Sequence, residues 1–285
     1  MLKKKDIIQN LGFLCVILCV LITVFFLGVT IYFVAVRGYK IISWEFLTQE
    51  PREAMTRGGV APAIVGTLYL TMGAILFALP LGLACAIYLC EYSPKSAIVN
   101  IIRMSINNLA GVPSIVFGLF GLAMFVKVLG FGVSILSGSL TLAIMVLPGI
   151  ISASQEALLA VPQSYREVSL ALGASHWQTI RKIVLPTALP GILTGIILSV
   201  GRVAGETAPI LFTAATFYKR GFPKSVFSEV MALPYHIYAL MTEGTYPEQQ
   251  TRIAFGCALI LLLLVLLVSA VAIVIRQKQR SAYVQ

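Results

Sequence analysis

The sequence predicts an all-α, polytopic membrane protein with about six transmembrane helices, and three observations support that. Hydrophobic residues make up 59% of the 285 and charged residues only 11%, with a mean hydropathy of +0.94, more apolar side chain than one soluble core can hide. Apolar blocks lie at about 11–36, 61–90, 107–130, 134–155, 187–213 and 253–275, five long and one interrupted. Each meets the roughly 20 residues that a helix needs to cross about 30 Å of hydrocarbon. Alternating strands of about ten residues are absent, which argues against a β-barrel. The blocks read as one transmembrane domain over residues 1–285, with a polar loop at 156–186 inside it.

The net charge of +10 could suggest a nucleic-acid partner, but its distribution argues for none. Lys3, Lys4 and Lys5 precede the first block, and Arg276, Lys278 and Arg280 follow the last. Six spans put both ends on one side, and the positive-inside rule makes that side the cytoplasm. The basic start resembles a secretory leader, yet the apolar run of about 26 residues exceeds the usual 7–15 and no small-x-small site closes it. An uncleaved first span is expected. Cys15, Cys19, Cys85, Cys90 and Cys257 all fall inside predicted spans, are odd in number and lack metal-ligand spacing with His, so they read as small packing residues and no metal site is expected.

In chain order, span one leads to an external loop marked by mixed charge, Pro51 and Gly58-Gly59. Span two contains Pro80 and Gly82, whose freed backbone groups need neighbours, so it belongs inside a bundle. Residues 91–108, with Lys95 and Arg103, form a short internal connection. In span three Gly111, Ser114, Gly118 and Gly121 recur at three- and four-residue spacing, which lets helix backbones approach closely; a lipid-facing helix with incidental glycines is the plainer alternative. Lys127 snorkels to the outer interface.

Span four enters the cytoplasm near Glu156. Beyond it, Ser164-x-x-Glu167 and Ser175-x-x-Gln178 both have capping-box spacing, and Gly173 stands between them where a helix end favours glycine. The pattern predicts helix, glycine corner, helix, then Pro186 before span five. Such a bent, partly apolar element suits docking on a partner; an amphipathic surface helix is the alternative.

Span five places two ionisable residues in an apolar run, and such residues at membrane depth mark function by default. Gly191, Gly195, Ser199, Arg202, Glu206 and Pro209 fall within an arc of about 80° at about 100° per residue, opposite Ile192, Leu193, Ile196, Ile197, Val200 and Val203. Arg202 lies about 22 Å beyond Thr187 at about 1.5 Å per residue, in the outer half. A charge at the centre of a span costs roughly 2.5–3.5 kcal/mol, and less nearer the interface. Arg202 and Glu206 therefore read either as groups that handle or gate an anion or as a self-neutralising pair in the weaker, base-first orientation. The external segment Thr216–Thr251 is mixed in charge, and FSEVMALPYHIYAL within it is half apolar, an interfacial helix or a solvated loop.

No G-x-x-x-x-G-K-[ST] loop, H-E-x-x-H or G-x-S-x-G occurs. His176 and His236 fall in different compartments, which leaves no two-His metal site. Any energy source comes from a partner.

From Glu167 the chain resembles the EAA loop of bacterial ABC importer permeases: E-A-A, three residues, G, nine residues, I-x-L-P. Glu167, Gly173, Ile183, Leu185 and Pro186 match at every spacing, while Val168 and Ser169 replace the two alanines. GGVAPAIVGTLYLT, GVPSIVFGLFGLA, LPTALPGILTGIILSVGRVAGETAP and ALPYHIYAL are similar to the PstA-type permeases of phosphate importers. R-x-x-G-E-T-A-P is shared with the PstC type; the short N-terminus and ALPYHIY favour the PstA type.

The resemblance implies a type I ABC importer permease fold in the bacterial inner membrane. It implies a PstC-like second permease, two PstB-like ATPases that bind the ATP, and a PstS-like phosphate-binding protein, with no cofactor on this chain and no enzyme activity of its own. It implies that Glu167, Leu170, Gly173, Ala174, Ile183, Leu185 and Pro186 couple to the ATPase, and that Arg202 and Glu206 line or gate the phosphate path. Import of another oxyanion, sulfate or molybdate, and a regulatory subunit that signals phosphate status are the alternatives; a secondary transporter fits the EAA spacing poorly.

Overall fold

A computed structural model describes residues 2–53, 55–94 and 96–282. Lys95 lies outside the described residues, as do the side chains of Lys3, Lys4, Lys5, Lys278 and Arg280. Among the described residues, five continuous helical rods are long and apolar enough to cross a membrane: Leu11–Gly38, Ala61–Tyr92, Ile135–Leu159, His176–Gly205 and Pro247–Val274. A sixth candidate, Ala97–Ala110 with Ser114–Val128, is bent by 103°.

The elements follow in order. Helix α1 (Leu2–Gly38) is followed by α2 (Trp44–Thr48) and a small antiparallel hairpin of β1 (Pro51–Arg52) and β2 (Arg57–Gly58). Then come α3 (Ala61–Ile87), α4 (Ala97–Ala110), α5 (Ser114–Gly121), α6 (Ile135–Leu159), α7 (Gln163–Ala171), α8 (His176–Thr179) and α9 (Leu185–Gly205). Helices α10 (Ala208–Leu211), α11 (Leu233–Thr242) and α12 (Pro247–Ala282) complete the chain. π-helical turns at Tyr88–Tyr92, Leu122–Val128 and Ile180–Val184 extend α3 and α5 and lead into α9.

Helix α6 is the axis of the bundle, with α3 and α9 packed along it. The approach depends on missing side chains. A Cβ on Gly195 would lie 2.4 Å from Ala153 Cβ, and one on Gly121 would lie 2.1 Å from Thr141 Oγ1, so neither position accepts a larger residue without moving a helix. The main apolar core, including Leu142, Val146, Ile150, Val203 and Ile210, fills the space among these helices.

The sequence boundaries change in three places. The expected third span at 107–130 breaks at Gly111–Pro113, because Pro113 has no N–H and disfavours a helical residue before it. Residues 107–110 belong instead to α4, an amphipathic helix capped by Ser96 and burying Val99, so 91–108 is more than a connection. In the glycine pattern, Gly118 and Gly121 are true contacts, against Ala208 and Thr141, whereas Gly111 touches only its own turn.

The second change is in span five, expected to reach residue 213: α9 ends at Gly205 and the chain turns back through α10. The third is in the segment expected to be external, part of which is core. Helix α11 buries Leu233, His236 and Leu240, and Leu233 N–H donates to Thr67 Oγ1 of α3 at 2.8 Å.

Candidate functional site

The residues singled out by the sequence lie around the two ends of one helical rod, His176–Gly205. At one end, α6 runs out at Leu159 and Pro162 starts α7. The Ser164–Glu167 capping box does not form: α7 begins at Gln163 with Pro162 as its cap residue and no side-chain cap, so Ser164 is already inside the helix and Glu167 is left exposed. The helix ends in a Schellman motif, in which Gly173 N–H donates to Leu170 O at 3.0 Å and Ala174 N–H donates to Ser169 O at 3.2 Å. Gly173 takes φ +80°, the left-handed conformation that glycine adopts at no steric cost.

The second box does form. Ser175 N–H donates to Gln178 Oε1 at 2.8 Å and Gln178 N–H donates to Ser175 Oγ at 3.3 Å. Helix α8 then runs without a break through Ile180–Val184 into α9, giving one rod from His176 to Gly205. Pro186 therefore does not separate two helices. The widened π turn lies just ahead of it, where its missing N–H would interrupt an α ladder. Ile183, Leu185 and Pro186 are half-buried along this rod.

The two departures from the EAA pattern have different surroundings. Ser169 is buried and hydrogen-bonded to Thr179 across the corner at 2.9 Å, whereas Val168 is exposed with Tyr165, Leu170, Leu172 and Trp177. Such a cluster of exposed apolar side chains on a polar, capped corner has the character of a docking surface.

Sequence reasoning missed the residue that fixes this corner to the bundle. Arg166 Nη2 is 2.7 Å from Glu91 Oε1, with side chains only 13% and 6% exposed. Its Nη1 donates to Val161 O at 2.8 Å and its Nη2 donates to Leu158 O at 2.9 Å. One guanidinium thus binds the end of α6 and the π turn after α3 to α7. Tyr92 meets His176 edge-on at 4.9 Å beside it, and a cavity of about 470 Å³ opens between these elements. The available signal was Glu91 itself, a carboxylate closing a long apolar run.

At the other end, the common face expected for span five separates into two parts. Gly191 and Gly195 meet Ala157 and Ala153 of α6, and Ser199 is buried; they permit helix contact. Glu206 and Pro209 are not on the helical face: Glu206 is the cap residue with extended ψ 131°, and Pro209 is buried in α10. Arg202 nevertheless meets Glu206, Nε to Oε1, at 3.5 Å. The Arg202 side chain is 52% exposed and that of Glu206 19%. Arg202 continues an exposed stripe with Leu198 and Gly205, while Glu206 borders a cavity of about 10 Å³ with Thr67, Thr71 and Pro234, the size of roughly one water.

The protein is a multi-pass bundle of membrane-length helices around α6, with a capped helical corner at one end and an Arg–Glu pair at the other. It superposes on a chain of the bacterial alginate ABC transporter solved with an alginate pentasaccharide-bound periplasmic protein, with TM-score 0.66 and 15% identity over 94% of each chain. Residues 78–281 match the binding-protein-dependent transport system inner membrane component family, and the chain belongs to that family. Among its relatives, the probable ABC transporter permease protein YqgI of Bacillus subtilis (strain 168) is 33% identical over 251 residues, covering 84% of this chain and 85% of that one. The phosphate transport system permease protein PstA 1 of Mycobacterium tuberculosis (strain CDC 1551 / Oshkosh) is 41% identical over 221 residues, covering 77% of this chain and 71% of that one.

Proposed function

We propose that this chain is one of two paired permeases forming the inorganic phosphate path of an ATP-driven importer in the bacterial inner membrane, both termini cytoplasmic. A PstC-like permease completes the path, a PstS-like protein delivers phosphate from outside, and two PstB-like ATPases dock on the α7–α8 corner through Glu167, Leu170, Gly173, Ala174, Ile183, Leu185 and Pro186. ATP is bound and hydrolysed by those partners, and this chain needs no cofactor. The observation that carries the reading is the continuous rod from His176 to Gly205, which joins the corner to Arg202.

Magnitudes favour Arg202 as the group that meets the anion. Its pair with Glu206 is long and half exposed, 3.5 Å with Arg202 52% accessible, and such pairs contribute about 0.2–1 kcal/mol. The planar guanidinium matches phosphate oxygens two at a time, whereas Glu206 takes a single long contact from it. Phosphate therefore displaces Glu206 at little cost, and Glu206 recovers Arg202 when phosphate leaves.

The test is ATP-dependent phosphate uptake into vesicles holding the assembled transporter. Arg202→Gln, inserted as stably as wild type, should lose uptake, and Glu206→Gln should keep part of it. Uptake unchanged by Arg202→Gln would remove Arg202 from the path. Competition by unlabelled sulfate or molybdate, expected to be weak, checks the substrate.

A further inference from the structure

At the end of the bundle away from the α7–α8 corner, α1 and α12 converge. Gly38 makes the crossing possible: a Cβ there would lie 2.6 Å from the carbonyl oxygen of Phe255. The crossing brings together Arg37 in the last turn of α1, Lys40 in the turn that follows it, and Arg252 in the second turn of α12. With Val36, Thr251 and Phe255 they line a cavity of about 710 Å³. Arg37 is held in place, its guanidinium carbon 3.9 Å from the Phe33 ring centre and 5.1 Å from that of Phe255. The two rings themselves meet edge-on at 5.5 Å. The cation–π contact orients Arg37 without using its N–H donors in an ion pair.

Among the described residues, none of these three cations has an ion pair or a side-chain hydrogen bond. Glu248, one turn before Arg252, and Glu45 of α2 are near in sequence, and neither pairs with them. Three exposed positive groups around one cavity, one of them lying over two rings, form a site for an anion.

We propose that this cavity binds a phosphate group. Planar and ammonium donors around one space suit a tetrahedral anion, and the apolar flank supplied by Phe33, Val36 and the exposed length of α1 suits acyl chains. The group comes either from an anionic phospholipid headgroup, seated where the spans of α1 and α12 reach the interface, or from free inorganic phosphate.

The experiment separates the sources. The assembled transporter is stripped of lipid in detergent, and binding of phosphatidylglycerol and phosphatidylcholine is measured by native mass spectrometry. Radiolabelled inorganic phosphate is measured in parallel in an Arg202→Gln background, so that the proposed path does not contribute. The variant combines Arg37→Gln, Lys40→Gln and Arg252→Gln. Each cation near a lipid phosphate should strengthen binding about fivefold, so the triple variant should bind on the order of a hundredfold more weakly.

Loss confined to phosphatidylglycerol assigns a lipid headgroup; loss confined to inorganic phosphate assigns the free ion. Equal binding of both probes by wild type and variant overturns the site. Should the triple variant fail to assemble, Lys40→Gln and Arg252→Gln are measured singly, and no weakening in either overturns it equally.

Discussion

Replacing Arg166 with Gln leaves Glu91, 6% exposed, as a buried carboxylate without its cation. Removing one partner of such a pair costs about 3–5 kcal/mol, chiefly because the other charge stays buried and uncompensated. The carbonyls of Leu158 and Val161 also lose their guanidinium donor, although the adjoining cavity gives water access to that region and softens the loss. Against a domain stability of about 5–15 kcal/mol, this loosens the corner without unfolding the chain. The assay is ATP hydrolysed per phosphate imported, measured in vesicles beside thermal unfolding of the purified complex. Arg166→Gln should lower the unfolding temperature and raise the ratio severalfold, because on the proposed docking a detached corner lets the ATPase cycle without moving the bundle. Glu91→Gln should do less, since an amide oxygen still accepts from Arg166, and the double variant should be no worse than Arg166→Gln alone. Strictly additive losses, as expected for independent sites, or an unchanged ratio in a destabilised Arg166→Gln, would refute the assignment of this pair as the link between corner and bundle.

Gly173→Ala should destabilise the corner by about 1–2 kcal/mol, the cost of a left-handed conformation for a residue with a Cβ, and should weaken capture of the ATPase in a pull-down; wild-type capture by a folded variant would show that the Schellman geometry is not needed for docking. His236 supplies a pH dependence. Burial lowers its pKa to about 4 from the ordinary 6.5, against a smaller opposing effect of the Phe217 backbone. Above pH 6.5 folded and unfolded chains both hold it neutral; as pH falls from 6.5 toward 4 only the unfolded chain takes up the proton, so stability declines across that window by up to about 3 kcal/mol. Thermal unfolding between pH 7 and 4 checks this, and His236→Gln should flatten the profile.

The spans were legible because membrane helices must bury every backbone polar group internally and announce it in hydropathy. The corner was legible because its termini use local chemistry: Gly173 and the Ser175–Gln178 box lie within four residues of what they bond. Ser164–Glu167 has the same spacing and fails, since the nearby Pro162 fixes the helix start first. Helical arithmetic on span five failed beyond Gly205 for a related reason. It assumed one helix to Pro209, whereas α10 packs against Gly118 of α5 and draws the chain away. The Arg166–Glu91 pair spans 75 residues, and α11 is buried by contacts with α3 and α12; no local periodicity encodes either.

The geometry also bears on how a small movement at the corner could matter at Arg202. The rod His176–Gly205 has 30 residues, about 45 Å at about 1.5 Å each. A tilt of about 5° about one end moves the other by roughly 4 Å, between the shift of about 1–2 Å and the one-turn ratchet of about 5.4 Å by which packed helices move. Arg202 and Glu206 both ride on that end of the rod, so the tilt carries the pair past its neighbours rather than apart, and an anion met on the way competes with a contact that contributes only about 0.2–1 kcal/mol. The opposite holds at the corner, where the buried Arg166–Glu91 pair resists separation by several times as much. On the proposed function, the strong pair keeps the ATPase-facing end rigid with α3 and α6, while the weak pair is the element that yields. Exchanging the strengths would stall the cycle: a tight Arg202–Glu206 pair would exclude phosphate, and a loose Arg166–Glu91 pair would absorb the stroke before it reached Arg202.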